Sequence, residues 1–166
     1  KGQSINPLGL LYYQDDPIKQ LQRSKNFFEK KFLKKSILIS PKKNKKIRIG
    51  YFSSDFRAHP VMYLFSSILM LHDKSKFEIY LYSFVRKEDE YTEIAKTCGC
   101  IFKDIKNLTD VEVVQLVRKD NIDIAIDLMG YTKNHRMNIF SYRVSPLQLG
   151  YLGYPGTTGS KNIDYI

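Results

Sequence analysis

From Ile47 onward the apolar residues switch repeatedly between alternate-residue spacing and three- or four-residue spacing, and that switching restricts the chain to few folds. Ile47 to Ser53 (IRIGYFS) alternates as a strand, and Pro60 opens an apolar stretch, Val61 to Leu71, long enough for a buried helix. Phe77 to Phe84 (FEIYLYSF), rich in aromatic and β-branched residues, predicts a second strand. Glu90 to Lys96 is expected as a short helix and Cys100 to Phe102 as a short strand. Thr109 to Glu112 forms a capping box that starts a helix through Lys119, with Val113, Leu116 and Val117 on one face. Ile122 to Leu128 (IDIAIDL) predicts a strand, Met137 to Tyr142 a short helix, and Leu147 to Leu152 a last strand. This order needs right-handed crossovers. The expected fold is therefore α/β, a Rossmann-like parallel sheet with helices on both faces and ligands beyond the carboxyl ends of its strands.

Ahead of this unit, residues 1–46 read as a basic helical leader and linker, and residues 47–166 as the α/β lobe. Residues 14 to 33 are expected to be helical, with Pro17 in the first turn after Asp15 or Asp16, and Ile18, Leu21, Lys25, Phe28 and Phe32 on one stripe. Phe27, Phe28 and Phe32 need a surface to cover them. The Lys-rich segment from Pro41 to Lys46 reads as a linker or exposed turn.

The net charge of +10 suggests nucleic acid, but its distribution argues otherwise. Residues 1–46 hold 12 Lys/Arg against 3 Asp/Glu, whereas residues 47–166 hold 15 against 14. The leader lysines, Lys30, Lys31, Lys34, Lys35, Lys42, Lys43, Lys45 and Lys46, lack the interleaved stacking aromatics of a nucleic-acid site, and a solvated face is expected. No run of 18 apolar residues and no signal-like amino terminus is present, so a cytoplasmic protein without a membrane partner is expected. Cys98 and Cys100, one residue apart, suit neither a framework disulfide nor a zinc site, and read as reduced structural thiols.

Three segments fall at the carboxyl edge of the predicted sheet. The first, Gly50-Tyr51-Phe52-Ser53-Ser54-Asp55-Phe56-Arg57-Ala58-His59-Pro60, is not the dinucleotide-binding glycine fingerprint, which disfavours a Rossmann oxidoreductase. His59 sits just before a helix, where free N–H groups favour an anion. Position alone nonetheless favours an N-cap or surface histidine over a working one. The second segment carries Gly130, Tyr131, Thr132, Lys133, Asn134, His135 and Arg136; the third carries Gly153, Tyr154, Pro155, Gly156, Thr157, Thr158 and Gly159. Glycines admit a close ligand and threonine hydroxyls bond sugar or phosphate oxygens, so the three segments are expected to line one crevice; two connecting turns are the plainer alternative. Asp127, near the end of an apolar strand, is expected to pair with Arg136 or Arg143.

With these segments in place, the chain resembles the catalytic region of the O-linked N-acetylglucosamine transferase and SPINDLY family of protein glycosyltransferases. The matching pieces are Ile47 to Phe56 with His59-Pro60, Lys76 to Ile79, Ile126 to Thr132 with Arg136, Arg143 to Gln148, Leu152 to Gly159, and Asp164-Tyr165. The segment from Asp15 is similar, more weakly, to the helical piece joining that family's tetratricopeptide repeats to its catalytic region.

The resemblance implies a two-lobed B-type glycosyltransferase of which this chain is the first lobe, inactive alone, the second lobe supplying most donor contacts. It implies inverting transfer from a nucleotide sugar, used as substrate with no metal or other cofactor, to Ser/Thr hydroxyls of acceptor proteins. The donor implied first is uridine-linked N-acetylglucosamine; guanosine-linked fucose, as in SPINDLY-type members, and a non-catalytic sugar-nucleotide or protein-binding module are the alternatives. By resemblance His59 faces the cleft near the reacting sugar, either orienting the acceptor or assisting proton transfer, which reverses the reading from position alone. Leu152, Gly153 and Pro155 match a donor-sugar loop, with Gly156, Thr157, Tyr131 and Thr132 as further donor or acceptor contacts. One departure stands out: animal-type relatives carry acidic and histidine side chains on the helix before the Ile122 strand, whereas this chain has Gln115, Arg118 and Lys119.

Overall fold

The computed structural model describes residues 5–32 and 39–166. Helices α1 (Pro7–Leu10) and α2 (Pro17–Phe32) precede β1 (Ile47–Ser53), α3 (Pro60–Leu71), β2 (Phe77–Ser83), α4 (Glu90–Thr97), β3 (Ile101–Asp104), α5 (Asp110–Lys119), β4 (Ile124–Asp127), α6 (Met137–Ser141) and β5 (Leu147–Gly150). The five strands form one sheet in the order β3-β2-β1-β4-β5, and every pairing is parallel. The order reverses between β1 and β4, where a doubly wound sheet opens its ligand crevice. The α/β expectation is met, with shorter ladders: Ile122 is buried but precedes β4, and the chain leaves the sheet after Gly150.

Side chains alternate between the two faces. Ile49 and Tyr51 of β1 with Ile79 and Leu81 of β2 pack on α3 and α4, while Phe52, Tyr80 and Tyr82 join the core beneath α5 and α6. Gly50 is required there, because a Cβ at this position would press on the Tyr82 ring. That ring stacks on Phe52 at 4.5 Å and donates its hydroxyl proton to Asp120 at 2.8 Å.

Helix α2 begins where expected, with Asp16 accepting the Lys19 N–H at 3.0 Å. Its inner face differs from the predicted stripe. Ser24, Phe27 and Phe28 are buried, whereas Ile18 is 80% exposed and Lys25 points outward, so the buried line is turned by roughly one residue step, about 100°. The cause is a contact with the lobe. Gly159, at φ +63°, lets the α2 backbone at Ser24 and Lys25 come so close that a Cβ would collide with it, and this fixes which side faces in. Phe27 then meets Tyr131 edge-on at 4.9 Å, and Phe27 and Phe28 enter the same core as Phe52 and Tyr82. Lys34 and Lys35 of the basic run, like Leu33 at the end of the predicted helix, lie outside the described residues; Lys30 and Lys31 occupy the last turn of α2.

Candidate functional site on the carboxyl rim

Four strands end alike. Ser53, Ser83, Asp104 and Asp127 close β1 to β4, and each accepts through its side chain the N–H two residues on: Asp55, Val85, Lys106 and Met129 respectively, at 2.9 to 3.4 Å. These short polar side chains turn the backbone out of the ladder without leaving a donor orphaned. The loops that follow form the rim.

His59 caps α3 with extended backbone (φ −157°, ψ 145°), and Pro60 occupies the first helical position. Its Nδ1 accepts the Val61 N–H at 3.3 Å and lies 3.6 Å from Asp55 Oδ2. Among the described residues no hydrogen-bond partner engages Nε2, and the ring is about one-third exposed. Two neutral states follow from this geometry. With Nδ1 accepting from Val61, Nε2 carries the proton and donates; with the proton on Nδ1 facing Asp55, Nε2 presents a lone pair and can act as a base.

The loop after β4 is anchored from both sides. Tyr131 is fully buried, donates its hydroxyl proton to the Thr158 carbonyl at 2.6 Å, and packs on Phe27 and Phe32. Its ring is thus core rather than rim, a correction to its place among ligand contacts: packing by α2 withdraws it from the surface. The Tyr131 carbonyl accepts from Asn6 at 2.9 Å, so the leader also grips this loop. Thr132 donates to the Met129 carbonyl at 2.7 Å and stays half-buried. Gly130, at φ +53°, leaves room for the Tyr154 ring, whose hydroxyl burial pushes up to about 12.

After β5, Leu152 takes φ +63°, a left-handed conformation that costs a leucine on the order of 1 kcal/mol, and its side chain is exposed. The next residue explains it. Gly153 lies against the Leu128 carbonyl, where any Cβ would overlap the oxygen, and its N–H donates to the Tyr151 carbonyl at 2.8 Å. Pro155 is exposed, Gly156 and Thr157 half-buried, and Thr157 accepts the Gly159 N–H at 3.1 Å. Of the predicted rim residues, then, His59, Thr132 and Leu152 to Thr157 stand at the carboxyl edge.

Asp127 corrects a second expectation. It pairs with neither arginine; its carboxylate accepts the Met129 and Gly130 N–H groups at 3.0 and 2.8 Å. Arg136 instead binds Asp110 and the Ile105 and Leu108 carbonyls, fastening α5, and Arg143 binds Asp164 and the Pro146 carbonyl. Arg136 is thus held by the segment after β3, and Arg143 by segments on either side of β5. Burial pushes the Asp127 carboxyl up to about 7, the two backbone hydrogen bonds opposing it only in part. Arg118, at a departure from the animal-type pattern, donates to the Tyr142 and Arg143 carbonyls and so holds the end of α6.

Sequence reasoning passed over Asp55, although its spacing of four from His59 was legible. It also missed a cavity of about 420 Å³ whose lining includes Arg57, Arg86, Lys87 and Asn134, brought together from three separate loops. A more apolar cavity of about 410 Å³, bordered by Ile122, Asp123 and Pro146, lies at the opposite, amino-terminal edge of the sheet. Cys98 and Cys100 are unpaired thiols, the latter pushed up to about 12 by burial. Among the described residues no helix is long and apolar enough to cross a membrane, and no group of three or more His, Cys, Asp or Glu could hold a metal ion.

Comparison with known proteins places this geometry. The profile described as Glycosyl transferase family 41 matches residues 21–166. The chain is 35% identical over 123 residues to the Arabidopsis thaliana protein named probable UDP-N-acetylglucosamine–peptide N-acetylglucosaminyltransferase SEC, covering 74% of this chain and 13% of that protein. It is 34% identical over 161 residues to a rice (Oryza sativa subsp. japonica) protein named probable UDP-N-acetylglucosamine–peptide N-acetylglucosaminyltransferase SPINDLY, covering 91% of this chain and 17% of that one. Among solved structures, a mutant of the Thermobaculum terrenum O-GlcNAc transferase superposes with a TM-score of 0.88 at 30% identity, over 96% of this chain and 32% of that chain. The chain thus spans less than a fifth of either curated relative.

Proposed function

The chain belongs to glycosyl transferase family 41, and from that premise we propose that it forms the first lobe of an inverting protein O-glycosyltransferase, transferring N-acetylglucosamine from its uridine diphosphate donor to Ser/Thr hydroxyls. The observation that carries the reading is His59, whose Nδ1 is held between Asp55 and Val61 while Nε2 is left free on the rim. In this proposal a second lobe, lying elsewhere in a longer chain, closes over the rim and holds the diphosphate, and upstream tetratricopeptide repeats present the acceptor. The names of the relatives, which join a nucleotide sugar to a peptide, support the substrate pair. The two unpaired thiols suit a cytoplasmic setting.

The acceptor oxygen attacks the anomeric carbon from the face opposite the leaving group; the new carbon–oxygen bond forms as the bond to the diphosphate breaks. His59 Nε2 takes the hydroxyl proton, and the Asp55 carboxylate stabilises the resulting imidazolium through Nδ1. Leu152 to Thr157 border the donor sugar, the strained Leu152 backbone being held by the Gly153 approach to Leu128. No resident cofactor enters these steps.

The test is to incubate the full-length protein with acceptor peptides and either UDP-N-acetylglucosamine or GDP-fucose, and to read the modified residue by mass spectrometry. Transfer of N-acetylglucosamine to Ser or Thr supports the proposal. Transfer of fucose alone would replace the donor, and binding of peptide or nucleotide sugar without turnover would leave a recognition module.

A further inference from the structure

We propose that the cavity of about 420 Å³ beside His59 is a subsite for an acidic side chain of the acceptor polypeptide, an inference that rests on the transferase reading above. Its walls come from the segment just before His59 (Ser54, Arg57, Ala58), from the loop after β2 (Arg86 to Asp89) and from Asn134. A polypeptide whose hydroxyl lies at His59 Nε2 therefore has its neighbouring residues within reach of this cavity.

Charge selects the ligand. Both carboxylates in the wall are already engaged: Glu88 binds Lys96 at 2.6 Å, and Asp89 accepts the Ala58 N–H at 2.7 Å and the Tyr91 and Thr92 N–H groups that begin α4. Arg86 and Lys87 are exposed, and among the described residues neither has a carboxylate within ion-pair distance. Arg57 has two long contacts, each 3.4 Å, to the Asp55 carboxylate and to the Ala58 carbonyl. The cavity consequently offers three cations against one carboxylate, Asp89, that no Lys or Arg pairs among the described residues, and two of the cations are guanidinium forks that match a carboxylate in two-point geometry.

The lining offers a nucleoside no surface. No aromatic or large apolar side chain borders the cavity, so neither a base nor a sugar face would find a stacking surface, whereas a short carboxylate on an extended peptide fits an open, polar recess. Through Ser54, Arg57, Ala58 and Asn134 the cavity adjoins the β1/β4 reversal, where the donor crevice is proposed, and Arg86 and Lys87 extend it sideways past the end of β2.

The experiment compares initial rates of the full-length enzyme on two synthetic peptides that differ only in carrying Glu or Gln two to four residues from the acceptor serine, in the parent and in an Arg86→Glu/Lys87→Glu variant. The parent is expected to favour the Glu peptide in kcat/KM by roughly fivefold, mostly through KM, and the variant to lose or invert that preference. A variant carrying Arg86→Gln/Lys87→Gln, which avoids placing new charge beside Glu88, should show the loss without the inversion. Equal rates on both peptides in the parent would overturn the inference, as would a rise in donor KM in either variant with peptide preference retained, which would assign the cations to the diphosphate. If neither peptide is modified by the parent, the transferase reading fails and this subsite falls with it.

Discussion

The carboxylate of Asp55 lies 3.6 Å from Nδ1 of His59, and the same nitrogen accepts the Val61 N–H at 3.3 Å. One ring nitrogen therefore serves two competing partners: Val61 favours the proton on Nε2, Asp55 favours it on Nδ1. In the proposed mechanism the carboxylate sets which state the histidine adopts and stabilises its protonated form.

Asp55→Asn keeps the size of the side chain and removes its charge. In the full-length enzyme it should lower kcat by about ten- to hundredfold with the melting temperature nearly unchanged. Introduced into His59→Ala, the same change should have little further effect, because Asp55 works through the histidine. Steady-state kinetics on the four proteins checks this; equal losses in both backgrounds would place Asp55 in a separate role.

Removal of residues 1–32 should destabilise the lobe, since Phe27 and Phe28 are buried in the core and Tyr131 loses its cover. Phe27→Ala alone is expected to cost about 3 kcal/mol or more, lowering Tm by roughly 6–12 °C. Thermal melts followed by circular dichroism measure both. Equal melting temperatures would mean that the ring packs on the lobe without holding it together.

The leader also shows what the sequence could and could not convey. Pro17, the capping box from Thr109 and the alternation in β1 are local signals, and each produced its element. The inward face of α2 depends on Gly159, far away in sequence, and so periodicity alone put it about one residue step away from the buried line. Asp127 failed for the same kind of reason: an apolar strand shows that a buried carboxylate needs partners, but the partners are the backbone N–H groups of its own turn. His59 was legible as a helix cap because an N-cap before Pro60 is a local motif, its place in a site coming from the family resemblance alone, while the cavity walled by Arg57 and Arg86 exists only once β1 and β2 lie side by side.

Asp127 should make stability fall as pH rises. Its folded pKa of about 7 exceeds the ordinary 3.8, so between about pH 4 and 7 the folded protein keeps a proton that the unfolded chain has lost. The full penalty, reached above pH 7, is on the order of 4 kcal/mol. His72 and His135, held neutral by burial, act in the opposite sense, adding stability as pH rises through the ordinary histidine range. Comparison with Asp127→Asn isolates the carboxyl: the Tm difference, variant minus parent, should grow from pH 5 to pH 8 in differential scanning calorimetry. A constant difference would show that Asp127 is ionised throughout.

Leu152→Gly should relieve the left-handed strain and stabilise the lobe by up to about 1 kcal/mol, or roughly 2–4 °C in Tm. If the exposed leucine borders the donor sugar, the same variant should raise the donor KM. Higher stability with an unchanged donor KM would separate this loop from the substrate.

The most direct test of the account is the rate of sugar transfer by the full-length protein and its His59→Ala variant, measured on one acceptor peptide with saturating UDP-N-acetylglucosamine, alongside the melting temperature of each preparation. The predicted result is a kcat lower by roughly two to four powers of ten in the variant, with Tm lower by no more than the few degrees that loss of a helix cap of about 1 kcal/mol implies. A variant that transfers sugar as fast as the parent would contradict the assignment of the reacting proton to His59, and with it the place of the active site on this rim.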